Sequence, residues 1–179
     1  MIRRTFLIAA AVVVVVPIAA LSQQQPQQQP LPVVHAFPDA RFVGFAQTVN
    51  DFEIQSGQMA LQKSQNELVR SYATHTIKEY TENAQSLAKN RTEAGVTMAP
   101  DEEVRKIADD AMTRLNALSG AEFDTAYADA QLRVQRAAST QYGAYSQNGN
   151  NGNLRRHAER MWPEIKEMLE AAQKLQGSR

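Results

Sequence analysis

Polar and apolar residues follow a helical period over the stretch from Ser119 to Tyr145. The inward positions recur at steps of three and four, so they fall on one face of a helix. They are Phe123, Tyr127, Ala130, Val134, Ala138, Gln141 and Tyr145. Ser119 and Glu122 have the spacing of a capping box, in which two side chains accept hydrogen bonds from backbone amides at the helix start. Such a face cannot be buried alone, so the pattern predicts a bundle of helices.

Two stretches before this helix carry the same period. In the first, we expect Asp39 to cap a helix whose inward face is Phe42, Phe45, Val49, Phe52, Ser56 and Met59. The chain is expected to kink or turn at a second capping-box pair, Ser64 and Glu67, and the helix that follows to end at Gly95. The inward face of this second helix is Leu68, Tyr72, Thr76, Ile77, Tyr80, Ala84 and Leu87.

A third helix is predicted after Pro100. Proline is tolerated in the first turn of a helix, and the acidic residues 101–103 suit the positive end of the helix dipole. We expect Gly120 to stop this helix. Its apolar face is Val104, Ile107, Ala111, Leu115 and Leu118.

The last helix follows a segment rich in asparagine and glycine, residues 148–153, which predicts a loop. Asn153 is a suitable cap, and Pro163 is expected to kink the helix after Trp162. The buried face is predicted to be Leu154, Ala158, Met161, Ile165, Met168, Leu169, Ala172 and Leu175. The five patterns together predict an all-α fold.

A second row lies beside the apolar face of the first helix, and its small residues would let another helix approach closely. It consists of Ala46, Asn50, Glu53, Gly57 and Ala60. Acidic residues are rarely buried unless they are paired, so the ordinary interpretation of Glu53 is a solvated or capping carboxylate. The alternative is that Glu53 is a metal ligand.

Composition limits the classes of function. The 179 residues include 19 basic and 19 acidic residues and no cysteine. This balance gives no footprint for nucleic-acid binding. Without cysteine there is no disulfide framework, thiolate metal site or lipidated junction.

The composition of the first 38 residues predicts a leader followed by a spacer. Arg3 and Arg4 precede an uncharged run, residues 5–21, and small residues follow, so residues 1–22 are predicted to be a signal peptide cleaved after Ser22. An uncleaved anchor and export by the twin-arginine route are the alternatives. Residues 23–38 are predicted to be a Gln/Pro-rich disordered linker, and residues 39–176 the bundle domain. We therefore expect a periplasmic protein, with no membrane-spanning segment after processing.

Few residues suggest catalysis. Helical bundles that bind two metal ions use Glu-x-x-His motifs, and none occurs in this chain. His35 falls in the linker, His75 has the spacing of a surface contact with Glu79, and His157 follows two arginines at a helix start. We expect no catalytic residue and no cofactor.

The motifs resemble a family of bacterial exported domains of unknown function labelled "predicted outer membrane protein". The carriers are Phe42 with Ala46, the Asn50-x-x-Glu53-Ile54-x-x-Gly57-x-x-Ala60 motif, the Leu118-Ser119-Gly120-x-x-Phe123-Asp124-x-x-Tyr127 motif, and Pro163. The resemblance covers about residues 40–176. It implies a ferritin-like four-helix bundle with broken or kinked helices, and possible association with the outer membrane.

The chain departs from this family at three positions where the resemblance implies histidine. They are Tyr80, Gln135 and Met168. By helical spacing we expect them to approach one another or Glu53, with packing and a hydrogen bond in place of metal ligands. Glu53, Gly57, Asp124 and Tyr127 are retained, and Asp124 is interpreted as compensating the helix dipole in the first turn.

Two hypotheses for function follow. The first is a non-enzymatic bundle that binds an unidentified envelope partner or helps to maintain the envelope. The second is a ferritin-like metal-binding or redox protein with a degenerate site, in which Glu53 is the surviving ligand.

Overall fold

The computed structural model describes residues 38–178, and the predicted signal peptide and nearly all of the linker lie outside this range. It contains five α-helices: α1 (Asp39–Lys63), α2 (Glu67–Ala94), α3 (Glu102–Ala117), α4 (Gly120–Asn148) and α5 (Gly152–Gly177). No strand occurs between residues 38 and 178. The prediction of an all-α fold is therefore confirmed.

The side chains that cap the helices differ from those expected at two starts. Asn66 caps α2 by accepting from the Leu68 amide, and the Ser64 hydroxyl accepts from the Asn66 amide instead. At α5 the cap is Asn151, two residues before the expected Asn153. Asparagine carries its acceptor oxygen one bond further from the backbone than serine does, so it reaches the first free amides from either position.

Two further caps differ from the predictions. Asp39 is the first residue of α1 rather than its cap, and its carboxylate accepts hydrogen bonds from the Tyr145 hydroxyl and the Asn151 amide. Ser119 precedes α4, but its side chain makes no capping hydrogen bond. The capping-box prediction for Ser119 and Glu122 is therefore wrong, although the predicted helix start is correct.

Two glycines mark helix boundaries by adopting positive φ. Gly95 ends α2 at φ 65°, as predicted, and its amide bonds to the last turn of that helix. Gly120 has φ 56° and begins α4, whereas α3 already ends at Ala117, so the prediction that Gly120 stops α3 is wrong. Glycine adopts this left-handed conformation without the steric cost that a Cβ adds.

Contacts along the helices set their directions. Tyr145, near the end of α4, reaches Asp39 at the start of α1, so these two helices are antiparallel. Tyr72 bonds Gln131, and further along both helices Asn83 bonds Tyr142, so α2 and α4 are parallel. Ser86 in the second half of α2 meets His157 near the start of α5, which makes α2 and α5 antiparallel.

The four long helices thus run up, down, down and up. Helices α1 and α5 each pack against both α2 and α4. Because α2 and α4 are parallel, the chain must return along the bundle between them, and α3 lies within this crossover. Lys63 fixes the corner where α3 meets α4 by donating to three carbonyls, those of Leu115, Asn116 and Leu118, at 2.7–3.0 Å.

Most of the predicted apolar faces are buried. Phe42, Phe45 and Phe52 of α1 and Phe123 of α4 are at most 3 % exposed. The small residues beside the α1 face permit the close approach that was predicted, because a Cβ on Gly57 would lie 2.8 Å from the Ile77 side chain of α2. The α5 helix continues through Pro163, so the kink at this residue stays a prediction.

Among the helices of residues 38–178, none has both the length and the apolar character required to cross a bilayer.

Candidate functional site: a buried polar cluster

Polar side chains from α1, α2 and α4 face one another inside the bundle. On each helix they recur at steps of three, four or seven, so they share a face. All are at most 7 % exposed. This polar cluster consists of Asn50, Glu53 and Ser56 on α1, Tyr72, Thr76, Tyr80 and Asn83 on α2, and Tyr127, Gln131, Gln135 and Tyr142 on α4. Burial of so many polar groups is costly unless they bond to one another.

Hydrogen bonds between helices satisfy part of the cluster. The Tyr72 hydroxyl donates to the Gln131 carbonyl oxygen at 3.2 Å, and the Gln131 amide donates to the Ser56 hydroxyl at 2.9 Å. This chain of bonds joins α2, α4 and α1 in one layer.

A second layer lies further along the bundle. The Asn83 side-chain amide donates to Asn50 Oδ1 at 2.9 Å and to the Tyr142 hydroxyl oxygen at 3.1 Å. The same three helices are therefore linked twice, and these directional bonds set how α1, α2 and α4 align along the bundle.

Glu53 lies in the cluster without a hydrogen-bond partner for either carboxyl oxygen. Its exposed fraction is 0 %. Burial raises the pKa of Glu53 well above its usual range, and the nearby Gln131 side chain offsets only part of this rise. Desolvation therefore favours the protonated, neutral form of this carboxyl group over the charged form. The interpretation of Glu53 as a solvated or capping carboxylate is therefore wrong.

Three phenol groups share this environment. Burial raises the pKa of Tyr72, Tyr80 and Tyr127, and a negative charge on Glu53 would raise each further. The hydroxyl of Tyr127 has no hydrogen-bond partner, nor does Thr76 Oγ1. The interior is thus polar, and several of its donors and acceptors have no hydrogen-bond partner.

Of the three positions at which the resemblance implied histidine, Tyr80 lies near both of the others. The Tyr80 hydroxyl donates to the Gln135 carbonyl oxygen at 2.8 Å. Tyr80 and Met168 line the same small cavity between α2 and α5, which has a volume of about 10 Å³. Tyr80 therefore bonds to Gln135 of α4 and lines the same cavity as Met168 of α5.

The side chains around Glu53 can be compared with the ligands that a ferritin-like metal centre requires. Such centres take glutamate and histidine ligands from four helices, and divalent transition metals favour imidazole, carboxylate or thiolate donors. The groups around Glu53 are phenols and amides. Between residues 38 and 178, no group of three or more His, Cys, Asp or Glu side chains is placed to hold a metal ion. This donor set does not fit a two-metal centre.

His157 is a buried polar residue that the sequence reasoning missed. It is 0 % exposed, and its Nδ1 lies 3.1 Å from the Ser86 hydroxyl, whereas its Nε2 has no partner. Burial, together with the charge of Arg160, lowers the pKa of His157 to about 4. A signal was available, because His157 follows Leu154 by three residues and precedes Met161 by four, which places it on the apolar face.

The other histidine in this range behaves as predicted. His75 Nδ1 lies 3.9 Å from Glu79 Oε1 at the surface of α2. His35 lies outside the described residues.

The remaining motif residues serve the fold in different ways. Phe123 and Tyr127 stack with ring centroids 5.9 Å apart, next to the end of α1. Asp124 lies beyond the first turn of α4, whose acidic residue is Glu122, so its assignment to that turn is wrong. One carboxyl oxygen of Asp124 is buried without a partner.

The chain belongs to a family defined by a shared domain of unknown function. It matches Domain of unknown function (DUF4142) over residues 21–175. This match begins before the bundle and includes the Gln/Pro-rich segment, whereas the resemblance was expected from about residue 40. The comparisons with curated proteins and with solved structures returned no match. The outer-membrane label and the ferritin-like fold stay predictions.

Proposed function

We propose that the mature protein is an exported, ferritin-like four-helix bundle that acts in the periplasm by binding rather than by catalysis. The single observation that carries this proposal is the hydrogen bond between Tyr80 and Gln135 beside the buried Glu53. Neutral side chains that bond and pack with one another occupy the positions where a metal centre of this kind would need ligands.

The helix order supports the ferritin-like part of the proposal. Ferritin-like bundles have one long crossover connection, which makes two consecutive long helices parallel. The crossover through α3 between the parallel helices α2 and α4 has this form.

Export rests on the leader pattern. Arg3 and Arg4, the apolar run and the small residues before Ser22 are those of a secretory signal. We propose that the processed protein is located in the periplasm. The alternative is that a partner attaches it to the outer membrane. Processing is tested by the intact mass of the protein recovered from the periplasmic fraction. A mass that includes residues 1–22, together with sedimentation with inner membranes, would contradict it.

A second candidate function is a degenerate metal or redox site. The observation in its favour is that both oxygens of Glu53 are free of hydrogen bonds. One experiment separates the two functions. We expect the parent to bind zinc weakly or not at all in a calorimetric titration, and the triple variant Tyr80→His, Gln135→His, Met168→His to bind it more tightly.

The control for this titration is the same triple variant carrying Glu53→Gln. The control should lose part of the gained affinity, because the only carboxylate of the cluster is removed. Equal zinc affinities for the parent and the triple variant would contradict the proposed convergence. Stoichiometric iron, manganese or zinc in the purified parent, lost in Glu53→Ala, would favour the metal protein instead.

A further inference from the structure

A second feature lies on the outside of the bundle, between the first half of α2 and the last turns of α5. The two helices leave a cleft of about 420 Å³ there. Its apolar lining comes from Leu68 and Tyr72 of α2 and from Ala171 and Leu175 of α5. This volume is within the range of small-molecule sites, which are mostly apolar with a few polar groups that orient the ligand.

One side chain in the cleft is exposed in a way that folding alone does not require. Leu68 is 57 % exposed. Between residues 38 and 178, Met98 is the only other large hydrophobic residue that is exposed. The Tyr72 side chain lies at the floor of the cleft. Its hydroxyl is held inside the bundle by Gln131 at 3.2 Å, which leaves the ring to line the cleft.

The charged groups at the rim are basic. Lys174 lines the cleft, and no hydrogen bond or ion pair joins its ammonium group to another group within residues 38–178. His75 lines it from the opposite helix, where its Nδ1 lies 3.9 Å from Glu79 Oε1. An apolar cleft with a free ammonium group at its rim is complementary to a molecule with an apolar chain and an anionic head.

We propose that the cleft between α2 and α5 binds a single-chain anionic amphiphile, such as a fatty acid. The chain lies on Leu68, Tyr72 and Leu175, and the carboxylate head faces Lys174. The site is separate from the contact between Tyr80 and Gln135, so neither export nor the metal question affects the test. The volume suits one small ligand rather than a helix of a partner protein.

The test is an NMR titration of the purified protein with decanoate. We expect saturable binding, with the largest amide shifts at Leu68, Ser71 and Lys174. Butanoate, which has the head and little chain, and 1-decanol, which has the chain and no charge, should each bind more weakly.

Three variants locate the site. Lys174→Gln should weaken decanoate binding by about fivefold, as expected for one exposed charge. Lys89→Gln is the matched control and should leave it unchanged, because Lys89 is also exposed and unpaired but lies away from the cleft. Ser71→Phe places a ring in the cleft from an exposed position, so it should abolish binding while the circular dichroism spectrum stays that of the parent.

Several outcomes would overturn the proposal. They are non-saturating shifts, equal binding of 1-decanol and decanoate, equal losses in Lys174→Gln and Lys89→Gln, or shifts centred on another surface. Binding to anionic vesicles without binding of soluble decanoate would assign Leu68 to a membrane contact and would also overturn it. If Ser71→Phe fails to fold, Leu68→Ser replaces it and should weaken decanoate binding.

Discussion

Replacing Glu53 by glutamine should change how the stability of the bundle depends on pH. The parent carboxyl is fully buried with both oxygens unpartnered, and burial holds its pKa well above 4.5. Ionisation therefore has to occur inside the core or be coupled to opening of the bundle. Glutamine has nearly the same shape and cannot ionise, so Glu53→Gln removes the titration and leaves the packing.

The magnitude follows from proton linkage. Between pH 4.5 and the raised pKa of the folded state, the folded protein binds one more proton at Glu53 than the unfolded chain does. The free energy of unfolding then falls by about 1.4 kcal/mol for each unit of rising pH. The stabilisation due to this group is fully present below pH 4.5 and is lost as the pH rises through the folded-state pKa.

His157 acts in the opposite direction over a lower range. Its pKa falls from 6.5 to about 4 on folding, so between these values the unfolded chain binds more protons. Stability therefore decreases as the pH falls from 6.5 to 4, by at most about 3 kcal/mol in total. The contributions of Glu53 and His157 to the pH dependence have opposite signs, and substitution of Glu53 alone separates them.

The assay is urea unfolding of parent and Glu53→Gln at pH values from 4 to 9. We expect the stability of the parent relative to that of Glu53→Gln to fall as the pH rises above 4.5. Glu167→Gln is the control, since Glu167 is exposed and outside the cluster.

Groups common to both proteins cancel in the difference between their curves. Parallel curves for parent and Glu53→Gln over the whole range would refute the reasoning, because Glu53 would then ionise in the folded protein as it does in water.

Three further substitutions test the packing by thermal or urea unfolding. Phe123→Ala should destabilise by about 3–5 kcal/mol, because it empties a fully buried site; a stability equal to that of the parent would show that the α4 face is wrongly assigned. Gly143→Ala should cost about 1–3 kcal/mol, since the new Cβ would lie 2.9 Å from the Trp162 ring, while Gly177→Ala, with no atom within 4 Å, should not destabilise. Lys63→Met should cost about 1–3 kcal/mol by leaving carbonyls at the end of α3 without a donor, and an unchanged midpoint would mean that water replaces the ammonium group.

The helices were predictable because their apolar period is a local property of the chain. The capping residues were less predictable, because several residues that can cap a helix lie within a few positions of each helix start. Ser64 and Asn66 both have acceptor side chains, and the structure uses Ser64 in the turn and Asn66 at the helix. The choice depends on where the turn places the chain, which sequence spacing does not specify.

The candidate site was predictable only in part. Helical spacing placed Tyr80, Gln135 and Met168 on faces that could meet. In the structure Tyr80 bonds to Gln135, and Tyr80 and Met168 line the same cavity. The burial of Glu53 depends on how closely α2 and α4 approach α1, which is a tertiary property. His157 was misread because two arginines precede it, although its spacing from Leu154 placed it with the apolar residues.

The neutral, closed interior around Glu53 is the central claim, and its carboxyl group can be observed directly. The measurement is a pH titration of the Glu53 carboxyl carbon by ¹³C NMR, with its signal assigned by its loss in Glu53→Gln. We predict that the chemical shift of this carbon keeps the value of a protonated acid at pH values well above 4.5, because burial raises the pKa of Glu53. A Glu53 carboxyl that ionises near 4.5, or that is already ionised because it binds a metal, would contradict the account.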